Sequence, residues 1–151
     1  MTDLEKLLAI EDIKRVKARY FYCLDHKDWA GWKRDVFAPD AQLLVPEFRP
    51  EPYTGIDAII QWVSQAAGQQ VSVHHGHMPD IEILSESTAK AIWAMEDILR
   101  YPMDRPGIYG YTYLHGYGHY HETYVRTPGG WRIKTTRLER LYVEQQQVQL
   151  R

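Results

Sequence analysis

The apolar periodicity of this chain changes once, at Gly68, and that single change most limits how it can fold. Before Gly68, apolar residues recur at three- and four-residue steps. Leu4, Leu7, Leu8, Ile13, Val16, Tyr20 and Leu24 form one helical stripe between Asp3 and Leu24, with Ile10 and Phe21 near its edges. Asp28 is placed to cap a short second helix through Trp29, Trp32 and Phe37, which Pro39 ends. "AQLLV" reads as a short strand and "FRPEPY" as a proline-rich loop. "TGIDAIIQWVSQAA" reads as a third helix, capped by Thr54 and ended by Gly68. After Gly68 the period is strand-like. Strands are expected near Val71 to Leu84, Ser87 to Tyr101, Leu114 to Thr127 and Trp131 to Glu144, with the tightest turn at "TPGGW". "PMDRPGIYGYT" is a long loop of the kind that often covers a binding site. Helices followed by long, mostly antiparallel strands predict an α+β domain, its helices covering one face of a curved sheet.

A chain of 151 residues, 44% of them hydrophobic, suffices for one domain with a real core. A net charge of −2 with interspersed signs offers no basic stripe for a phosphate backbone, so nucleic acid is not an expected partner. "MTDLEKLLAI" carries acids among its apolar residues, unlike a signal peptide, and no segment approaches the ~18 apolar residues of a membrane span. No membrane partner is expected, and the expected location is the cytoplasm. Cys23 is the only cysteine, which excludes an intrachain disulfide and a cysteine-based zinc site; it reads as a packing residue. Eleven tyrosines against three phenylalanines suggest a cavity with apolar walls and hydroxyls at its edges, suited to a small hydrophobic, polycyclic or phenolic ligand.

Strand parity sorts the candidate site residues. In "GYGHYHETYVRTPGGWRI", His119 and His121 share one face, and Tyr120 shares the other with Glu122 and Tyr124. Either the histidines lie on the outer face or at a contact between copies, or they form a pocket wall. We favour Tyr117 and His121 as pocket residues that bind substrate. Trp131, Ile133, Thr135 and Arg137 share one parity, which points Arg137 inward if the two apolar residues are core. "HHGHMPDIE" contains His75-x-His77-x4-Glu82, the spacing with which cupin barrels begin a metal site. The glycine-rich second half of that pattern is missing and a helical first third is foreign to such barrels. No metal site is therefore expected.

The order "IKRVKARYFYCLDHKDW", "VFAPDAQLLV", "YTGIDAI", "HHGHMPDIEI", "AKAIWAMEDIL" and "GHYHETYVRTPGGWRIKTTRLERL" resembles the SnoaL-like branch of the nuclear transport factor 2-like superfamily over nearly the whole chain. Within it, the sequence is most similar to the scytalone dehydratase and bile-acid 7α-dehydratase group. The resemblance implies a cone-shaped α+β fold with a pocket between sheet and helices. It also implies a catalytic set of Tyr20 and Asp25 on the first helix, His74 and Asp97 on adjacent strands, and Arg137 on the last strand. In this reading His74 is the acid/base, Asp97 its partner, Tyr20 a donor to substrate oxygen and Arg137 a carboxylate clamp or oxyanion partner. Asp25 follows Tyr20 by about 140° around an ideal helix, so the two converge only if the helix ends near Leu24.

Such a set implies elimination of water from a hydroxylated carbonyl compound, of steroid, bile-acid or polyketide type, with no metal or nucleotide cofactor. A ketosteroid-type isomerase, a cyclase or a non-catalytic ligand-binding module of the same fold are the alternatives. Val73, Ile92 and Ala94 would make the uncovered sheet face apolar, so a homo-oligomer, trimer or dimer, is expected.

Overall fold

In the computed structural model, which describes residues 1–148, the elements follow the expected order. Helix α1 spans Asp3–His26 and starts on a capping box, with Thr2 accepting from the Glu5 N–H and Glu5 accepting from the Thr2 N–H. Asp28 caps the short helix α2, Trp29–Gly31, by accepting from the Gly31 N–H at 2.8 Å. A π-helical turn over Trp32–Val36 leads into strand β1, Phe37–Leu44. Pro39 therefore lies inside a strand and ends no helix. It is tolerated because β1 slips register against its neighbour between Phe37 and Gln42, where a missing N–H breaks no ladder bond. Strand β2 is only Tyr53–Thr54. Helix α3, Ile56–Ala67, is entered through Gly55 at φ 88°, so a glycine conformation and not a Thr54 side chain starts it.

The remaining strands are β3 Val71–Ile83, β4 Thr88–Arg100, β5 Tyr111–Thr127 and β6 Gly130–Gln147. They form one six-stranded sheet in the order β2-β1-β6-β5-β4-β3, antiparallel except where β1 meets β6. A two-residue turn at Pro128 and Gly129 joins β5 to β6, and Gly130 at φ 100° supplies the left-handed conformation it needs. The helices cover one face of this curved sheet, giving the expected α+β architecture. None of the described helices is long and apolar enough to cross a membrane.

The buried line of α1 is Ala9, Ile13, Val16, Lys17, Tyr20, Cys23 and Leu24. Leu4, Leu7 and Leu8 are exposed, contrary to the expected stripe. On an ideal helix they lie roughly 100–160° away from Ala9, so a three-and-four spacing read across the whole helix joined two different faces. Packed against the buried line are Trp32, Phe37, Trp93, Tyr120, Tyr124 and Ile133. On the outer face of the sheet, Val73 and Ile92 are exposed as their parity predicts.

An ion pair lies within this core. Lys17 Nζ donates to Glu122 Oε1 at 2.6 Å, with both side chains essentially inaccessible. Glu122 also accepts from Thr136 Oγ1 at 2.8 Å and from the Tyr124 hydroxyl, which in turn accepts from Trp93 Nε1 at 3.1 Å. The ammonium sits over the rings of Tyr120 and Tyr20, at 3.5 and 4.0 Å. Burial lowers the Lys17 ammonium to about 8, and Glu122 holds it from falling further. Removing one partner strands the other's charge, so Lys17→Met should cost about 3–5 kcal/mol, read as a lower urea midpoint with an unchanged slope. Adding Glu122→Gln should return part of that loss; strictly additive losses would contradict a coupled pair.

Candidate active site

The C-terminal turn of α1 is bound to β3 by a chain of polar contacts. Lys27 caps the helix in the left-handed conformation at φ 60° and donates through Nζ to Ser72 Oγ at 2.9 Å. Ser72 donates to Asp25 Oδ1 at 2.9 Å, and the His74 backbone N–H donates to Asp25 Oδ2 at 3.0 Å. His74 Nδ1 meets Asp25 Oδ1 at 2.6 Å. Burial alone would raise the Asp25 carboxyl, but the hydrogen bonds and charge of His74, with its backbone N–H and Ser72, outweigh burial and leave it below the ordinary value. Asp25 is therefore a carboxylate and an acceptor, which assigns the proton of this contact to Nδ1 and leaves His74 Nε2 facing away from the helix.

On that side lies Asp97, opposite His74 in the β3–β4 ladder and fully buried. Its Oδ2 is 3.9 Å from His74 Nε2, beyond hydrogen-bond range. Its strong partner is Arg140, which donates from Nε to Oδ1 at 3.3 Å and from Nη2 to Oδ2. Arg140 Nη1 also donates to Glu47. Burial opposes the charge of Arg140, yet Asp97 and then Glu47 raise its pKa above the ordinary value. Burial and the neighbouring Asp97 raise the Glu47 carboxyl against the pull of Arg140. The pair fits only because β5 has no side chain at Gly116, where a Cβ would lie 2.5 Å from Asp97 Oδ1 and 2.7 Å from Arg140 Cδ.

These groups border a cavity of about 90 Å³ between α1, α3 and the inner sheet face. Tyr20, His74, Asp97, Tyr120 and Arg140 reach it, as does Gln70, whose Oε1 is buried without a hydrogen-bond partner among the described residues. Burial first, and then the Glu122 charge, raise the Tyr20 hydroxyl above its ordinary value. Tyr120 is raised too, again mainly by burial. Both phenols are donors at neutral pH. Opposite the polar groups the cavity is covered by aromatic rings. Phe48 stacks on Tyr109 at 4.3 Å, Tyr109 accepts from Trp62 Nε1 at 3.1 Å, and Tyr53 stacks on Trp62 at 4.6 Å.

Four of the expected site residues are thus brought together, with two changes of arrangement. His74 takes Asp25 and not Asp97 as its close partner. Asp25 does not converge with Tyr20 on the cavity, because α1 continues to His26 and carries Asp25 towards β3.

Arg137, Tyr117 and His121 do not line this cavity. The sheet skips Lys134 where Thr123 pairs with Thr135 and Tyr124 with Ile133. This bulge reverses the parity of β6, so Thr136, Leu138 and Arg140 turn inward while Arg137 turns out to Glu139 at 3.2 Å. A second slip at Leu141 follows Arg140. On β5, Tyr120, Glu122 and Tyr124 take the inner face. Tyr117 is 40% exposed, and His121 pairs with Glu139 at 3.1 Å on the outer face. Glu82 likewise stands apart from His75 and His77, beyond a register slip after His77, and pairs with Lys90 at 2.7 Å. Sequence reasoning missed Arg140, Tyr120 and Gln70. Tyr120 was legible from the alternation with Glu122; the other two carry no sequence signal of their own.

Comparison with known proteins agrees with this architecture. A protein from Novosphingobium aromaticivorans DSM 12444, provisionally assigned as a scytalone dehydratase, superposes with a TM-score of 0.81 at 24% identity, covering 98% of this chain and 94% of its own. Hexachlorocyclohexane dehydrochlorinase LinA-type3 from Novosphingobium barchaimii LL02 gives 0.78 at 16% identity, covering 96% and 94%. A nuclear transport factor 2-like superfamily protein from Salmonella enterica serovar Typhimurium LT2 gives 0.73 at 19% identity, covering 87% and 90%. At these identities the likeness concerns the fold. The sequence itself matches the SnoaL-like domain over residues 5–137, and the chain belongs to that family.

Proposed function

We propose that this protein is a lyase that removes water from a small hydroxylated carbonyl compound by acid–base catalysis, with no metal or nucleotide in the reaction. The observation that carries the reading is His74, held through Nδ1 by Asp25 and bordering a largely apolar cavity beside two protonated tyrosines. Two of the similar folds are named for eliminations, a dehydratase and a dehydrochlorinase, which supports the same reaction class here.

In the proposed reaction Nε2 takes the proton from the carbon next to the carbonyl, while the Tyr20 hydroxyl donates to the carbonyl oxygen as it gains charge. The imidazolium so formed is flanked by the Asp25 carboxylate and by Asp97 at 3.9 Å. It returns the proton to the β-hydroxyl, the carbon–oxygen bond breaks, and water leaves with a carbon–carbon double bond formed behind it. His74 ends as it began. Arg140 donates to Asp97 and Glu47, so in this reading its role is to fix Asp97.

Substrate size follows from the cavity. At about 90 Å³ it is well below the ~300–1,000 Å³ of pockets that take drug-sized ligands. A single-ring or shorter hydroxy-carbonyl compound suits it, and a steroid-sized one would need the Phe48–Tyr109 cover to part. Incubation with hydroxylated ketones of graded size, followed by mass detection of the loss of one water, tests the reaction class. An unchanged mass with a moved double bond would favour isomerisation on the same residues, and binding without any conversion would favour a ligand-binding module.

Four expected outcomes follow from the site. His74→Ala should lower kcat by about 10²–10⁴-fold with the circular dichroism spectrum unchanged. Asp25→Asn should lower kcat in a strongly non-additive way with it, whereas His119→Ala, on the outer face of β5, should be silent. The buried, unpartnered Gln70 is expected to accept a hydrogen bond from a substrate hydroxyl. Gln70→Leu should then raise KM by roughly 2–10-fold while thermal stability holds or rises, since an unmet polar group is removed. An unchanged KM with a lower melting temperature would contradict that role. Chelator-treated enzyme should keep its rate, and a loss restored by added metal would count against the mechanism.

A further inference from the structure

On the opposite side of the same two strands, a second group of side chains is assembled that the proposed reaction does not use. His75 and His77 are two apart on β3 and both point outward, exposed. Glu96 on β4 stands directly opposite His75 in the ladder. One ligand atom from each of the three lies within 4.8 Å of the others, and His77 Nε2 is 3.9 Å from Glu96 Oε2. We propose that His75, His77 and Glu96 bind a divalent transition-metal ion of the zinc class on the outer face of the sheet.

The chemistry of the donors selects the ion. Two imidazoles and one carboxylate suit zinc, nickel, cobalt or copper, and a site without an all-oxygen shell does not suit magnesium or calcium. With bonds of about 2.0–2.2 Å, two donors on one ion stand roughly 3–4.4 Å apart. The 3.9 Å pair already meets this, and a small rotation of an exposed imidazole brings the widest pair within it. Water completes the shell on the exposed side.

The carboxylate is already oriented for this role. His115 on β5 contacts Glu96 Oε1 through Nε2 at 2.7 Å, which fixes one oxygen and leaves Oε2 turned towards His77. Such an outer partner holds a ligand in place and raises its affinity for metal. The position is also notable. His75 and Glu96 are the chain neighbours of His74 and Asp97, so an ion here would join β3 and β4 beside the rung that carries the candidate catalytic groups.

The proposal is independent of the catalytic reading and is tested without turnover. Protein freed of metal with a chelator is titrated with zinc chloride by calorimetry and then melted with and without zinc. One zinc ion should bind per chain, and a hundredfold excess over Kd should raise Tm by roughly 5–10 °C, with magnesium giving no shift. His77→Ala and Glu96→Gln should abolish the shift, and His115→Ala should weaken binding about 10–100-fold. Cobalt substituted for zinc should give a visible absorption band that His75→Ala removes. No heat and no change in Tm would overturn the site. So would equal affinity in wild type and His77→Ala, the mark of an adventitious ion only. Half an ion per chain would replace it with a bridge between two copies.

Discussion

The arrangement of this fold depends on one buried ion pair. Lys17 and Glu122 lie where a core would normally be apolar, and they join the middle of α1 to β5, with Thr136 on β6 and the Trp93–Tyr124 contact completing the set. Apolar packing alone is non-directional and would tolerate a helix that slid or rotated on the sheet. A charge that must meet its partner in the interior does not tolerate this, because any displacement leaves it desolvated and unpaired. The rotation and height of α1 are thereby specified, and with them the position of each residue beyond Lys17.

Two consequences reach the cavity. Tyr20 lies one turn past Lys17, under the same ammonium, and its hydroxyl is delivered to the inner sheet face. Asp25, at the helix end, is brought against the backbone and ring of His74 on β3. The opposite wall is made by a different device, close approach of strands. Gly116 leaves room for Asp97 and Arg140 to pair, and at Gly118 an added Cβ would fall 1.9 Å from the Glu139 carbonyl oxygen. Here β6 bulges twice, and the first bulge turns an arginine that strict alternation would send to solvent into the interior.

Most of the fold was legible in the sequence because it rests on local periodicity. The helical start, the change at Gly68 and the four long strands each follow from spacing within a short window. So does the parity of β3, where Ser72 and His74 are buried and Val73 and His75 exposed. The site was legible where one strand keeps its alternation and lost where it does not. Arg137 was assigned inward by counting through Lys134, and the bulge there depends on pairing with β5, which no local pattern reports. The close partner of His74 was misassigned for a similar reason. Asp97 is its ladder neighbour, but Asp25 comes from 49 residues away and is placed by helix packing. The exposed Leu4, Leu7 and Leu8 mark the same limit in α1, where correct spacing does not say which of two faces meets the sheet.

The central claim is that Asp25 holds His74 with its proton on Nδ1, so that Nε2 is the atom offered to a substrate. Nitrogen-15 spectra of the labelled histidine ring, assigned with His74→Ala, test this directly in the free protein and with a hydroxylated ketone added. The account predicts a protonated Nδ1 in both states and a change on adding ligand confined to Nε2. A His74 ring with its proton on Nε2 and a bare Nδ1, unmoved by any ligand that enters the cavity, would contradict it.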